Sequence, residues 1–162
     1  QGHAGDQKAI RVRENLIEYC NYNIEVFTSD DDMVSDVVYE NNILRFAGYG
    51  FGSYARLGSD CSMVGHVCSW RGAQKSVNFL IRNNIFDTSW NQLVVEGCTD
   101  GVNGPSYVGN TWIQKKNAKA YAVHTRVKAT DSKMSYLTAT NQATLESAVA
   151  TVDKSATVIF ED

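Results

Sequence analysis

The side chains with the clearest chemical potential lie close together in one segment of the sequence. Between Arg56 and Lys75 the chain carries His66, Trp70 and Arg71. Guanidinium groups neutralise acidic ligands, an imidazole exchanges protons near neutral pH, and an aromatic ring offers an apolar stacking surface. This segment is therefore the first candidate for a binding or catalytic site.

The same segment also has a purely structural interpretation. Cys61, Met63, Cys68 and Trp70 are suited to a small satellite core, and His66 would then be a hydrogen-bonded loop residue. The four cysteines of the chain form no CxxC pair and have no histidine at metal-ligand spacing, so we expect no structural zinc site.

Carboxylates offer a second kind of chemistry. Glu25 and Glu96 could serve as acid and base on one glycosidic bond, although solvated surface carboxylates are the favoured interpretation. The triplet Asp30 to Asp32 supplies oxygen ligands that suit Ca²⁺, but a calcium loop would show a fuller alternation of ligands. A polar turn is favoured there. Ca²⁺ is the one cofactor that the sequence neither predicts nor excludes.

Composition limits the classes of function. The chain has 162 residues, 43% of them hydrophobic and 20% charged, with a formal net charge of -3, which predicts one domain with one core. No basic run indicates nucleic-acid binding, and no apolar run approaches the roughly 18 residues of a membrane span. We therefore expect neither nucleic acid nor membrane as a partner.

An internal repeat must position these side chains. The segments RVRENLIEYCNYNIEVF, VVYENNILRFAGYGFGSY and FLIRNNIFDTSWNQLVVEG, with a weaker fourth copy SYVGNTWIQKKNAKAYAVH, each run from a β-rich stretch into an asparagine. These asparagines are Asn15, Asn42, Asn84 and Asn110. Apolar residues at i and i+2, rich in Val, Ile, Phe and Tyr, predict short strands, and units of this size must stack to bury a hydrophobic face.

The register extends beyond the asparagine. Nine residues after the first three asparagines stand Ile24, Phe51 and Leu93, each of which begins a further alternating segment that we expect to point inward. The interval between Asn42 and Asn84 equals one repeat plus an insertion, which we place at residues 54–76. An apolar pair follows each of these asparagines, and the pattern does not decide which of its two residues faces the core.

The rungs of type FLIRNNIFDTS and VVYENNILRFA resemble those of right-handed parallel β-helix proteins of the pectate-lyase-like superfamily, over roughly residues 10–124. The resemblance implies an all-β, right-handed parallel β-helix of about four rungs, 1–124, in which the asparagines stack as a hydrogen-bonded ladder. It also implies that each ladder asparagine takes a left-handed backbone conformation, which this residue type tolerates.

The remainder, residues 125–162, is expected to cap the open carboxy-terminal end within the same domain. The stretch from Thr140 to Asp153 places Leu145, Val149 and Val152 at helical spacing, with Thr140 or Asn141 as N-cap. ATVIFED then predicts a strand. A small cap with one short helix would protect strand edges that otherwise invite aggregation.

Carbohydrate grooves in that superfamily usually lie along the sheet built from the third strands. The resemblance therefore implies a substrate groove presenting Glu25, Tyr54, Glu96 and His124, with Val94 also on the outer face, roofed by the inserted loop. Stacking on sugar rings is assigned to Tyr54 and Trp70. Charge neutralisation is assigned to Arg56 and Arg71, and proton transfer to His66.

Two functions follow as expectations. The first is a secreted or cell-surface carbohydrate-active protein, or part of one, that acts on acidic polysaccharide by lyase chemistry. The alternative is a non-catalytic β-helix that binds glycans or displays loops on a surface. Further rungs of a longer parent chain are a potential partner in either case.

Overall fold

The computed structural model describes residues 6–28, 33–49, 65–71, 77–89, 92–96, 105–115, 121–125 and 135–161. Within them the chain is built from short strands and one short helix. Four successive repeats contain the strands β1 to β13, and a carboxy-terminal segment adds β14, α1 and β15.

The first two repeats contain seven strands. Their bounds are β1 Gln7–Lys8, β2 Arg11–Arg13, β3 Leu16–Glu18, β4 Tyr22–Thr28, β5 Val34–Glu40, β6 Ile43–Ala47 and β7 Gly65–Arg71. The third and fourth repeats contain six: β8 Val77–Arg82, β9 Ile85–Ser89, β10 Gln92–Glu96, β11 Ser106–Val108, β12 Thr111–Lys115 and β13 Tyr121–Thr125. The final segment contains β14 Ser135–Ala139, α1 Gln142–Val149 and β15 Thr157–Glu161.

These strands form three five-stranded sheets that the chain visits in a fixed order. Sheet 1 contains β1, β2, β5, β8 and β11; sheet 2 contains β3, β6, β9, β12 and β15; sheet 3 contains β4, β7, β10, β13 and β14. Among the described residues, every strand pair is parallel except β13 with β14. The structure is thus all-β with predominantly parallel sheets.

One core lies between the three sheets. The inward column of sheet 2 runs through Ile17, Leu44, Phe86 and Trp112, and the last three are 0%, 0% and 1% exposed. Phe86 and Trp112 stack with ring centroids 4.2 Å apart. Sheets 1 and 3 contribute residues to the same cluster, so each repeat buries its apolar side chains only by stacking on its neighbours.

The sequence left the phase of each apolar pair open, and the structure decides it. The second residue of the pair points inward, at Ile17, Leu44 and Phe86. The first points outward, and Leu16, Ile43 and Ile85 are 55%, 42% and 37% exposed. An exposed aliphatic column therefore runs along the outer face of sheet 2.

The asparagine ladder is confirmed. The side-chain Nδ2 of Asn15 donates to Oδ1 of Asn42 at 3.1 Å, Asn42 donates to Asn84 at 2.9 Å, and Asn84 donates to Asn110 at 3.1 Å. In each of these three asparagines the backbone N–H donates to the same Oδ1 atom as its own side chain does, which is the Oδ1 of the next asparagine in the ladder. Asn42, Asn84 and Asn110 are each at most 1% exposed, so these bonds satisfy polar groups that water does not reach.

The left-handed residue is not the ladder asparagine, as the sequence had suggested, but the residue before it. Positive φ is found at Glu14 (58°), Asn41 (55°) and Asn83 (53°), and at Gly109 (64°) in the fourth repeat. The bend therefore uses two residues: the first reverses the chain, and the second places its amide in the ladder. This division of labour explains the doublets Asn41-Asn42 and Asn83-Asn84.

Glu14 is the least suited of these four residues to positive φ, because it is neither glycine nor asparagine. We expect Glu14→Asn to raise the free energy of unfolding by about 0.5–1 kcal/mol, since asparagine tolerates the left-handed region at a smaller steric cost. Chemical denaturation of the variant and the parent measures the difference. A destabilised variant would show that contacts of the Glu14 side chain stabilise the fold by more than its positive φ destabilises it.

The carboxy-terminal segment packs on the last repeat. Helix α1 has Asn141 as its N-cap, in a capping box with Thr144, and buries Leu145, Ala148 and Val149. Strand β15 extends sheet 2 beside β12. The predicted helix and final strand are both present, although α1 ends at Val149 rather than near Asp153.

The predicted register of the third strands is wrong in the second repeat and shifted by one residue in the third, where Val94 rather than Leu93 is aligned with Ile24 through Val67. Ile24 is aligned with Val67, and Val67 with Val94, so β7 holds the position that the sequence assigned to Phe51. Because β7 is a strand paired on both sides, residues 54–76 are not one inserted loop. Phe51 lies outside the described residues.

Candidate functional site

A cluster of aromatic side chains lies where sheet 2 ends in the first two repeats. Tyr19 and Phe46 each follow their ladder asparagine by four residues, and their rings stack with centroids 5.1 Å apart and planes at 29°. Tyr49 meets Phe46 edge-on at 6.2 Å. We call Tyr19, Arg45, Phe46 and Tyr49, together with Glu18, the aromatic corner.

The backbone of the aromatic corner is strained. Tyr19 and Phe46 have φ of 58° and 55°, a region that bulky side chains rarely occupy. Thr88 holds the same position in the third repeat with φ of 55°. Left-handed backbone at non-glycine residues costs on the order of 1 kcal/mol each and is often retained at binding sites. This backbone conformation places two large rings together at the surface of the molecule.

Charged groups lie beside the rings. The guanidinium of Arg45 is 5.2 Å from the ring centroid of Phe46, within the range of a cation–π contact. Its Nε atom also donates to Oε2 of Glu18 at 2.5 Å, and the side chains of this pair are 38% and 31% exposed. The hydrogen bond to Glu18 raises the pKa of Arg45, whose guanidinium is charged in any case.

The corner thus combines an apolar surface with polar groups at its edge. Tyr19 is 41% exposed, so part of its ring is open to a ligand. Arg45 offers planar N–H donors and Glu18 offers acceptor oxygens. An apolar ring face with hydrogen-bonding groups around it matches a sugar, whose C–H bonds pack on aromatic rings while its hydroxyl groups make hydrogen bonds.

A shallow groove of about 390 Å³ lies on the outer face of sheet 1. Its polar lining residues are Asp36, Asn78 and Ser106, and Val38 and Leu80 are among its apolar lining residues. Asn78 donates to Asp36 at 3.0 Å. The groove offers hydrogen-bonding groups, but its aromatic residue Phe79 is only 2% exposed, so it lacks the open ring surface of the aromatic corner.

His66 corrects the predicted catalytic set. It belongs to β7 rather than to an exposed loop, and it is completely buried. Its ring lies 5.3 Å from that of Phe86 and 6.3 Å from that of Trp112, and Nδ1 is 3.1 Å from the Nδ2 of Asn23. Burial lowers the pKa of His66 to about 3, so the imidazole is neutral. Because the ring lies inside the core, it cannot contact an external substrate.

Of the other predicted residues of sheet 3, Glu25 and His124 share one register position and Glu96 does not. Glu25 is aligned with Cys68, and Val95 is aligned with both Cys68 and His124, whereas Glu96 is aligned with Ser69. Glu25 and Glu96 are therefore offset by one residue along their strands, which argues against a facing carboxylate pair. Val94, predicted to face outward, is 0% exposed.

Several predicted residues cannot be related to this geometry. Trp70 and Arg71 end β7, beside Phe27 and Thr28 of β4, and their side chains, like those of Glu96 and His124, lie outside the described part of the chain. Tyr54, Arg56 and the triplet Asp30 to Asp32 lie outside it entirely.

Two further properties limit the chemistry of the described residues. Among them, no group of three or more His, Cys, Asp or Glu residues could hold a metal ion. The helical residues that the structure describes include no segment long and apolar enough to cross a membrane.

The aromatic corner was missed in the sequence, although a signal was present. Tyr19 and Phe46 stand at the same distance from Asn15 and Asn42, so the repeat alignment alone places them in one column. Aromatic residues at the same position of adjacent stacked repeats must be neighbours, because parallel strands lie about 4.8 Å apart.

No family model, curated protein or solved structure matches the chain.

Proposed function

We propose that the chain is a right-handed parallel β-helix of the pectate-lyase-like type, secreted or at a cell surface, that binds a glycan without cleaving it. The parallel sheets visited in fixed order and the asparagine ladder support the architecture. Connections between parallel strands of one sheet are right-handed in about 98% of cases, which supports the handedness.

The observation that carries the binding function is the aromatic corner. Tyr19 and Phe46 hold φ of 58° and 55°, a backbone conformation that glycine or asparagine would adopt with less strain. Residues that hold a strained backbone in this way are often retained for ligand contact. Arg45 and Glu18 add the polar contacts that orient a sugar ring.

The burial of His66 favours binding over lyase chemistry. A β-elimination needs a base that reaches the proton next to the uronate carboxylate. His66 was the predicted base, and it lies inside the core with its pKa lowered to about 3. The aromatic corner contains a cation and a carboxylate, but the carboxylate of Glu18 is already paired with Arg45.

Retention on immobilised polysaccharides tests the proposal. The chain is passed over neutral and acidic polysaccharides, and the same polysaccharides in solution are monitored for the absorbance of unsaturated products. We expect retention on at least one polysaccharide and no rise in absorbance. A rise would show lyase activity and contradict the non-catalytic proposal, whereas no retention on any polysaccharide would contradict glycan binding.

Tyr19→Asn should separate binding from stability. Asparagine removes the ring and tolerates positive φ, so strain relief offsets the lost stacking on Phe46, and we expect the free energy of unfolding to stay within about 1 kcal/mol of the parent. Retention on the polysaccharide should fall at least tenfold. Affinity and denaturation are measured on the same preparation.

Glu14→Asn is the matched control for this variant. It introduces the same residue at the same φ of 58°, five residues earlier and outside the aromatic corner. Polysaccharide retention should remain at the parent level in this control. Equal loss of retention in both variants would show that the backbone change, and not the ring, is responsible.

A further inference from the structure

The two ends of the stacked repeats differ in how they terminate. At the carboxy-terminal end, the ladder ends on the carboxylate of Asp153, which is 1% exposed. This carboxylate accepts the Nδ2 and the backbone N–H of Asn110, at 2.8 and 3.0 Å. Asp153 thus replaces the asparagine that a fifth repeat would provide, and α1 covers the core beside it.

The amino-terminal end carries no such cap among the described residues. The ladder has a direction, because each asparagine donates towards the carboxy-terminal end. Asn15 therefore exposes an acceptor, its Oδ1, and no described group donates to it. A preceding repeat with a corner asparagine would supply two donors for this atom, in the way that Asn42 supplies them to Asn84.

The core is also open at this end. Ile17 is only partly buried, although its equivalents Leu44 and Phe86 in the next two repeats are 0% exposed. Val12 is partly buried as well, while Ile81 in the same column of sheet 1 is 0% exposed. Strands β2, β3 and β4 each pair on one side only with described strands.

We infer that the amino-terminal end is a stacking surface for a further three-strand repeat, joined to this chain ahead of β1. The ladder acceptor, the open core and the unpaired strand edges all lie at this end and fit the same occupant. Because the chain visits sheets 1, 2 and 3 in order, a strand before β1 would belong to sheet 3 of that repeat. The inference does not depend on glycan binding.

A second copy of the chain does not fit this surface. Its own amino-terminal end also presents an Oδ1 acceptor at Asn15, so two such ends would bring acceptors together. Its carboxy-terminal end is closed by Asp153 and α1. Only a repeat with an open donor end matches the direction of the ladder.

An extended chain tests the inference. A copy of residues 77–100 is fused ahead of Gln1, which places a corner asparagine, copied from Asn84, next to Asn15. The extended chain should melt roughly 5 °C above the parent, because the new repeat buries the open core. The copy should also resist proteolysis as the rest of the chain does.

The control is the same extended chain with Asn84→Val in the copy alone. It keeps the apolar pattern but lacks the side-chain donor for Asn15, so it should lose part of the gain in melting temperature. A copy that is digested without affecting the parent part, an equal gain in the control, or dimerisation of the parent chain through its amino-terminal end would each overturn the inference.

Discussion

Replacing Asn84 with valine should lower the free energy of unfolding by about 3 kcal/mol and the melting temperature by roughly 6–12 °C. The Asn84 side chain accepts from the N–H and Nδ2 of Asn42, and it donates to Tyr39 O and to Asn110 Oδ1. Valine leaves these buried groups without a partner. Because the left-handed residue is Asn83, valine at position 84 adds no backbone strain, so the hydrogen bonds account for the whole effect.

Asn15→Val is the matched control, since Asn15 occupies the exposed end of the same ladder. Its side chain donates to Arg13 O at an exposed position, where water can replace the bond, and to Asn42 Oδ1, which keeps the backbone N–H of residue 15 as a donor in the variant. Thermal unfolding should show a loss below about 1 kcal/mol for this variant. Equal losses at positions 15 and 84 would contradict a ladder whose value comes from burial.

Lowering the pH from 6.5 towards 3 should destabilise the protein through His66, by on the order of 4 kcal/mol in total. The pKa of this imidazole is about 3 in the folded state and near 6.5 when unfolded. Between these values the unfolded chain binds a proton that the folded chain does not, so stability is lost as pH falls. The slope should approach about 1.4 kcal/mol per pH unit.

His66→Gln removes the titrating group and keeps an acceptor for the Nδ2 of Asn23. Denaturation curves for the parent and the variant are compared between pH 6.5 and 5. Buried carboxylates such as Glu40, whose pKa is lowered chiefly by its hydrogen bond to Arg82, act mainly at lower pH. The parent should lose stability in this interval and the variant should not, and parallel slopes would show that His66 is not responsible.

The ladder was predictable because it depends on residue type and spacing alone. Asparagines at 15, 42, 84 and 110 must align if the repeats stack, and the structure aligns them. The left-handed position was also visible, because Asn41, Asn83 and Gly109 are residue types that tolerate positive φ. The prediction assigned the conformation to the wrong member of each pair.

The third strand of the second repeat was not predictable from the same pattern. Phe51-Gly52-Ser53 satisfies the nine-residue spacing, but β7 begins only at Gly65. A match of three residues is weak when an insertion of unknown position precedes it. This error placed His66 on a loop, whereas its ring packs against Phe86 and Trp112 in the core.

The predicted site was based on the register of the third strands, so an error in that register is also an error in the site. The sequence favoured an outer groove on sheet 3, where Glu25 and Glu96 prove to be offset by one residue. The aromatic corner instead follows from stacking of Tyr19 on Phe46, which repeat alignment determines without reference to the insertion. Side chains near the ladder were therefore better defined by the sequence than those beyond it.

The most direct test of glycan binding at the aromatic corner is a nuclear magnetic resonance titration of the chain. The ligand is an oligosaccharide from the polysaccharide that retains the protein best. The ring protons of Tyr19 and Phe46 and the guanidinium of Arg45 should shift with saturation, while the amides of Glu25, Asp36 and Asn78 stay unchanged. Shifts confined to sheet 3 or to the groove on sheet 1, with the aromatic corner unaffected, would contradict the proposed site.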